Sequence, residues 1–248
     1  MTTCLIEVCA NSIASALAAQ EGGALRVELC DNIPEGGTTP SYGCIAETRR
    51  LLNIKLHVLI RPRGGDFCYT DEEFVVMKKD ILMAKDLGAD GVVFGLLKPD
   101  GTVDRDRSAA LLNLAGPLSA TFHRAFDMTR DPFEALDAIM DMGFDRLLTS
   151  GQKPKATDGA ALIAGLIRHA AGRIVIMPGS GIDETNIKAM KDMTGAWEFH
   201  VSARRKVESP MTFRRENLSM GGVTAAHEFS RMNTDAERVR RLVELVNR

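Results

Sequence analysis

This sequence predicts an α/β fold, a (β/α)8 TIM barrel forming a single domain over 1–248, and three observations predict it. Short β-branched runs alternate with amphipathic helical patterns eight times. The repeat averages about 31 residues, the size of one βα module. The total of 248 residues matches the ~250 typical of such a barrel. A doubly wound open sheet shares the alternation, but the first loop lacks a G-x-G-x-x-G turn and eight strands leave no surplus.

Strands are expected at 4–9, 25–30, 55–61, 91–95, 119–124, 145–149, 173–178 and 197–202. Helices are expected at about 12–21, 43–52, 71–87, 105–114, 132–142, 158–171, 184–193 and 235–247. Thr70 with Glu73, and Thr234 with Glu237, read as capping boxes before apolar periodicity. Asp131 before Pro132 reads as an N-cap with proline at the first helical position. Gly22, Gly88, Gly143 and Gly172 stand just past helix ends, where a left-handed residue is needed. The longest irregular stretch, about 203–233, falls between the last strand and the last helix.

Composition narrows the function classes. Apolar residues make up 45% and charged residues 26%, which excludes a disordered or low-complexity chain. With 31 Lys+Arg against 33 Asp+Glu the net charge is −2, so no nucleic-acid partner is expected. No apolar run reaches the roughly 18 residues of a membrane span, and the N-terminal residues lack signal-peptide character. Five cysteines with no CxxC pair point to reduced thiols in a cytoplasmic protein.

Chemistry in a barrel sits at the C-terminal strand ends, and alternation puts inward residues at i, i+2, i+4. Glu7 and Cys9 share that parity on the first strand, as do Glu28 and Cys30 on the second. The third offers His57, Arg61 and Arg63; the fifth Thr121 and His123, followed by Arg124 and Asp127; the eighth Glu198 and His200. Taken singly, His57 or Glu198 reads as a satisfied interior polar group. Ionisable groups on five strand ends mark a pocket, because buried charges cost several kcal/mol each unless paired.

Two stretches suit an anion. Gly179, Ser180 and Gly181 follow the seventh strand, where backbone N–H groups can approach an anion without a Cβ in the way. Ser150 and Gly151 offer donors next door, and Arg61 with Arg63 forms a candidate anion clamp on a long loop. A tight βα turn needing glycine is the plainer reading of 179–181.

Several of these segments resemble the CutC copper-homeostasis family. They include Glu7-Val8-Cys9, Arg26-Val27-Glu28-Leu29-Cys30, Glu35-Gly36-Gly37-Thr38-Thr39-Pro40-Ser41 and Ile60-Arg61-Pro62-Arg63-Gly64-Gly65-Asp66-Phe67-Cys68-Tyr69. The likeness continues through Thr121-Phe122-His123-Arg124-Ala125-Phe126-Asp127, Leu148-Thr149-Ser150-Gly151-Gln152 and Glu198-Phe199-His200, then along the late loop to Arg231. The resemblance implies a cytoplasmic TIM barrel with a copper-linked role, Cu(I) bound by Cys9 and Cys30, no organic cofactor, and a homodimer. It brings no substrate or reaction.

The residues themselves leave two readings open. Soft Cu(I) prefers thiolates, and neighbouring strands about 4.8 Å apart suit two sulfurs flanking a metal. Two matched cysteines can also simply pack as small hydrophobes. The rival is a metal-independent enzyme transferring a proton on a small phosphorylated or carboxylated metabolite, with Glu28 and His123 as acid–base pair. The basic clusters Arg204-Arg205-Lys206 and Arg214-Arg215 read as a solvated face, the alternatives being a cover for the pocket or a contact with a second subunit.

Overall fold

The computed structural model describes residues 3–215, 218, 220 and 228–248. Eight parallel strands and eight helices alternate among the described residues. They run β1 (Leu5–Ala10), α1 (Ile13–Glu21), β2 (Arg26–Leu29), α2 (Tyr42–Leu51), β3 (Lys55–Leu59), α3 (Asp71–Asp86), β4 (Gly91–Phe94) and α4 (Arg105–Ala115). There follow β5 (Ser119–Phe122), α5 (Pro132–Met142), β6 (Arg146–Thr149), α6 (Ala160–Ala170), β7 (Val175–Pro178), α7 (Ile187–Thr194) and β8 (Glu198–Val201). A hairpin of β9 (Arg204–Glu208) and β10 (Ser230–Thr234) then precedes the last helix, α8 (Ala236–Val246).

The sheet order β7-β6-β5-β4-β3-β2-β1-β8 nearly closes a ring. Alternation then sorts each strand into two faces. Outward residues such as Val8, Val27, Val58, Phe94, Phe122 and Phe199 are fully buried under the helices, so the apolar core is the layer between sheet and helices. The lumen is filled by polar side chains. Register sets Glu7 beside both Arg26 and His200, and Glu28 beside both Cys9 and His57. Gly91 lies beside His57, and any Cβ there would come within 2.6 Å of the imidazole Nε2, so this strand position must be glycine for the ring to fit.

The capping box at Thr70 and Glu73 and the Asp131 N-cap both form. Other sequence expectations need correction. The stretch expected to be irregular at 203–233 contains the antiparallel β9–β10 pair. Thr234 ends β10 and Asp235 caps α8 instead, accepting from Arg238 N, so no capping box is built from Thr234 and Glu237. Gly22 is right-handed (φ −74°) and the left-handed residue is Gly23 (φ +88°). Gly22 is required sterically, since a Cβ would lie 2.5 Å from Val239 Cβ.

Candidate functional site at the barrel mouth

The lower lumen is an ionic plug. Arg26 bridges the carboxylates of Glu7 and Glu198, and Arg146 Nε adds a second bond to Glu198 at 2.8 Å. Glu7, Arg26 and Glu198 are 0%, 2% and 1% exposed, so two carboxylates face two guanidinium groups with water almost excluded. Burial works against the Glu7 carboxylate, but Arg26, the His200 hydrogen bond and the charges of His200 and His57 outweigh it. They hold that carboxyl well below the usual range.

Above the plug, Glu7 Oε1 meets His200 Nδ1 at 2.8 Å, and His200 Nε2 lies 3.8 Å from Glu28 Oε2. Burial opposes a proton on His200; Glu28, the Cys9 sulfur and Glu7 overcome it and raise the imidazole well above its ordinary range. Glu28 moves the other way from Glu7. Burial, reinforced by Cys9 and Glu7 and resisted by His200, pushes it up to about 8.

The two thiols expected to pair do meet. Cys9 Sγ and Cys30 Sγ are 3.6 Å apart, and Arg204 of β9 reaches Cys9 Sγ at 3.2 Å. The hydrogen bond with Cys30 comes first in holding the Cys9 thiol well below its usual value. His200 and Arg204 assist, against burial. Cys30 is pushed up by the same bond and by its own burial, and the Arg204 guanidinium on Cys9 Sγ favours negative charge on that sulfur. Ligand atoms of Cys9, Glu28 and Cys30 lie within 4.8 Å of one another, as do those of Glu7, Glu28 and His200.

A cavity of about 850 Å³ opens above the cluster, lined among others by Cys9, Glu28, Arg61, His123 and His200. Arg124, Asp127, Ser180 and Gly181 reach its wall as well. The other expected anion groups are already committed. Arg63 turns to the outer flank, where it bonds Glu73 Oε1 at 2.6 Å and Asp66 Oδ1 at 3.1 Å, and it does not line the cavity. β3 ends at Leu59, so strand parity does not carry to position 63.

The loop after β6 does bind an anion, but the anion is Asp127. Its carboxylate accepts from Thr149 Oγ1 (2.6 Å), Ser150 N and Gln152 N (both 3.1 Å), Ser150 Oγ (2.9 Å) and Arg124 Nε (2.7 Å). Gly151 N donates to Thr149 Oγ1 instead. Gly179 N donates to Thr149 O, and a Cβ there would sit 2.5 Å from Leu148 Cδ1, so this glycine serves the turn. The Ser180 hydroxyl donates to Pro154 O.

His123 is held by Ala125 N, which donates to its Nδ1 at 3.2 Å. Burial first, then the charge of Arg61, pushes this imidazole down to about 3, so it is neutral at neutral pH and a weak base. Sequence reasoning missed Arg26 and Arg146 as members of the lumen. Arg26 carried a signal, since it lies two residues before Glu28 on one strand face. Arg204 takes the alternative to a solvated face and lines the pocket, while its neighbours Arg205 and Lys206 are exposed.

Fold and site together define a class: a (β/α)8 barrel with a thiol pair, carboxylates and an imidazole gathered at its C-terminal mouth. The CutC family matches over residues 4–205, and the chain belongs to that family. A family protein CutC of Chromobacterium violaceum is 51% identical over 244 residues, covering 98% of both chains. The human copper homeostasis protein cutC homolog is 48% identical over 238 residues, covering 96% of this chain and 87% of its own. The crystal structure of CutC from Streptococcus agalactiae superposes with a TM-score of 0.77 at 35% identity, covering 80% of this chain and 98% of that one. Among the described residues no helix is long and apolar enough to cross a membrane.

Proposed function

We propose that this chain is a cytoplasmic Cu(I)-binding protein of copper homeostasis, with Cys9 and Cys30 as its principal ligands. The observation that carries the reading is the thiol pair, 3.6 Å apart with one sulfur poised as thiolate. Thiolate is the ligand soft Cu(I) selects. Two in-line bonds, taking the ~2.3 Å of zinc–thiolate as a stand-in, would need the sulfurs about 4.6 Å apart. The observed gap is shorter, so the thiols must part by about 1 Å or a third donor must join; Glu28 stands within reach of both sulfurs. The donor set fits the ion.

The proton-transfer reading draws less support. Arg63 faces away, His123 is a weak base, and the 150–152 loop already holds Asp127. Anaerobic Cu(I) titration against a chromophoric chelator tests the proposal. Stoichiometric uptake by the parent, lost in Cys9→Ser with Cys30→Ser, is expected; undiminished affinity in that double variant refutes the ligand assignment.

A further inference from the structure

The cavity is far too large for a copper ion. About 850 Å³ is roughly 28 times the ~30 Å³ share of one liquid water, and falls within the ~300–1,000 Å³ of sites that enclose organic molecules. Its wall is largely apolar, with Ile33, Leu59, Phe67 and Leu148 among its members.

Among the described residues, two buried donors in that wall lack acceptors. Arg61 is 5% exposed; its terminal nitrogens donate to the carbonyls of Glu35, Gly37 and Gly65, each at 2.7 Å. Those carbonyls fix the guanidinium but do not neutralise it. Among the described residues it has no carboxylate partner, and its Nε has no acceptor. A buried, uncompensated charge is strongly unfavourable, unlike the paired arginines of the plug below.

His123, also 5% exposed, supplies the second donor. Because Ala125 N–H donates to Nδ1, the ring proton sits on Nε2, and Nε2 has no acceptor either. Both groups lie against one ring: the Phe67 centroid is 5.0 Å from the Arg61 guanidinium carbon and 5.0 Å from the His123 ring centroid. An oxygen-bearing anion entering beside Phe67 would give both donors an acceptor and Arg61 a counter-charge.

We propose that this cavity is a binding site for a small organic oxyanion, a carboxylate or phosphate monoester on a compact apolar body, whose oxygens are received by Arg61 Nε and His123 Nε2. The apolar body lies along the Leu59 and Leu148 side, and the Phe67 ring swings aside to admit the oxyanion. The site differs from the thiol pair and does not depend on copper binding.

Calorimetric titration of the metal-free, reduced protein with benzoate, phenyl phosphate and the neutral benzamide tests this. One or both anions should bind one per chain, with Kd below about 1 mM and at least about tenfold tighter than benzamide. Which anion binds distinguishes a carboxylate from a phosphate ligand. His123→Phe, which keeps the ring and removes the donor, should weaken binding about tenfold, equivalent to ~1.4 kcal/mol. The titration is run with no copper present, so failure of the copper reading leaves this result standing. The proposal is overturned if neither anion saturates, if benzamide binds equally well, or if His123→Phe binds unchanged. Should His123→Phe fail to fold, the His123 Nε2–H proton resonance of the unmutated protein decides: it shifts on saturation with the anion, and an unmoved resonance overturns the assignment.

Discussion

Acidification should destabilise this protein through His57 in particular. The imidazole is 2% exposed, its Nδ1 has no hydrogen-bond partner among the described residues, and the Glu7 carboxylate stands 4.0 Å away. Burial dominates, and pushes the group from 6.5 down to about 4. Between those values the unfolded chain binds the proton and the folded chain does not. The stability His57 permits is therefore complete above about pH 6.5 and is lost as pH falls toward 4. A pH of about 5 is some 1.5 units below the unfolded value of 6.5, which at ~1.36 kcal/mol per unit comes to about 2 kcal/mol. That is a ~30-fold change in the unfolding constant. Glu28 contributes with the opposite sign, because its raised carboxyl takes up a proton on folding, so the parent's pH profile alone is not diagnostic. The informative quantity is the difference between the parent and His57→Gln in urea unfolding free energy, followed by circular dichroism at pH 7.5 and pH 5. That difference should move against the parent by about 2 kcal/mol on acidification. Parallel pH profiles would refute the buried, neutral imidazole.

Three further outcomes follow from the site. Arg26→Met leaves Glu7 without its guanidinium partner and Glu198 with only Arg146, so urea unfolding should report a loss of about 3–5 kcal/mol; a loss under about 1 kcal/mol would show that the plug is solvated. Asp127→Ala strands two backbone N–H groups of the β6 loop, at about 1–3 kcal/mol for each unmet group. Added formate should restore part of the lost melting temperature, and no recovery would mean that the loop had collapsed around other acceptors. In peptide mapping after iodoacetamide treatment near pH 7, Cys9 should be modified well before Cys30, and Arg204→Gln should slow Cys9. The reverse order would mean that the thiolate had been assigned to the wrong sulfur.

The strands and helices were legible because each strand has one face against helices and one against the lumen, which imposes a period of two that the helical pattern interrupts. Predicted ends fell within three residues of the observed ones, the largest shift being the start of α7 at Ile187 rather than 184. The β9–β10 hairpin was illegible for the converse reason. Its first strand, Arg-Arg-Lys-Val-Glu, buries neither face fully, so no alternation marks it. Strand parity alone also brings Glu7, Cys9, Glu28, Cys30, His123 and His200 to one place. It could not say which donors were already engaged. Arg63 and the 150–152 loop look identical in sequence whether they await a ligand or hold Glu73 and Asp127.

Charge accounting by layer separates scaffold from site more sharply than residue type does. In the lower lumen Arg26 and Arg146 answer Glu7 and Glu198 one for one, so those carboxylates need no further cation. One layer up the balance fails. Glu28 is driven toward its neutral form by burial, Cys9 draws its stabilisation from a thiol, an imidazole and an arginine, and Arg61 is fixed by three carbonyls that carry no charge. A compact barrel has no packing reason to leave a buried guanidinium unneutralised when the layer beneath it pairs every one. Among the described residues the unpaired layer is the one that faces the cavity, where the proposed Cu(I) and oxyanion would supply the missing charges.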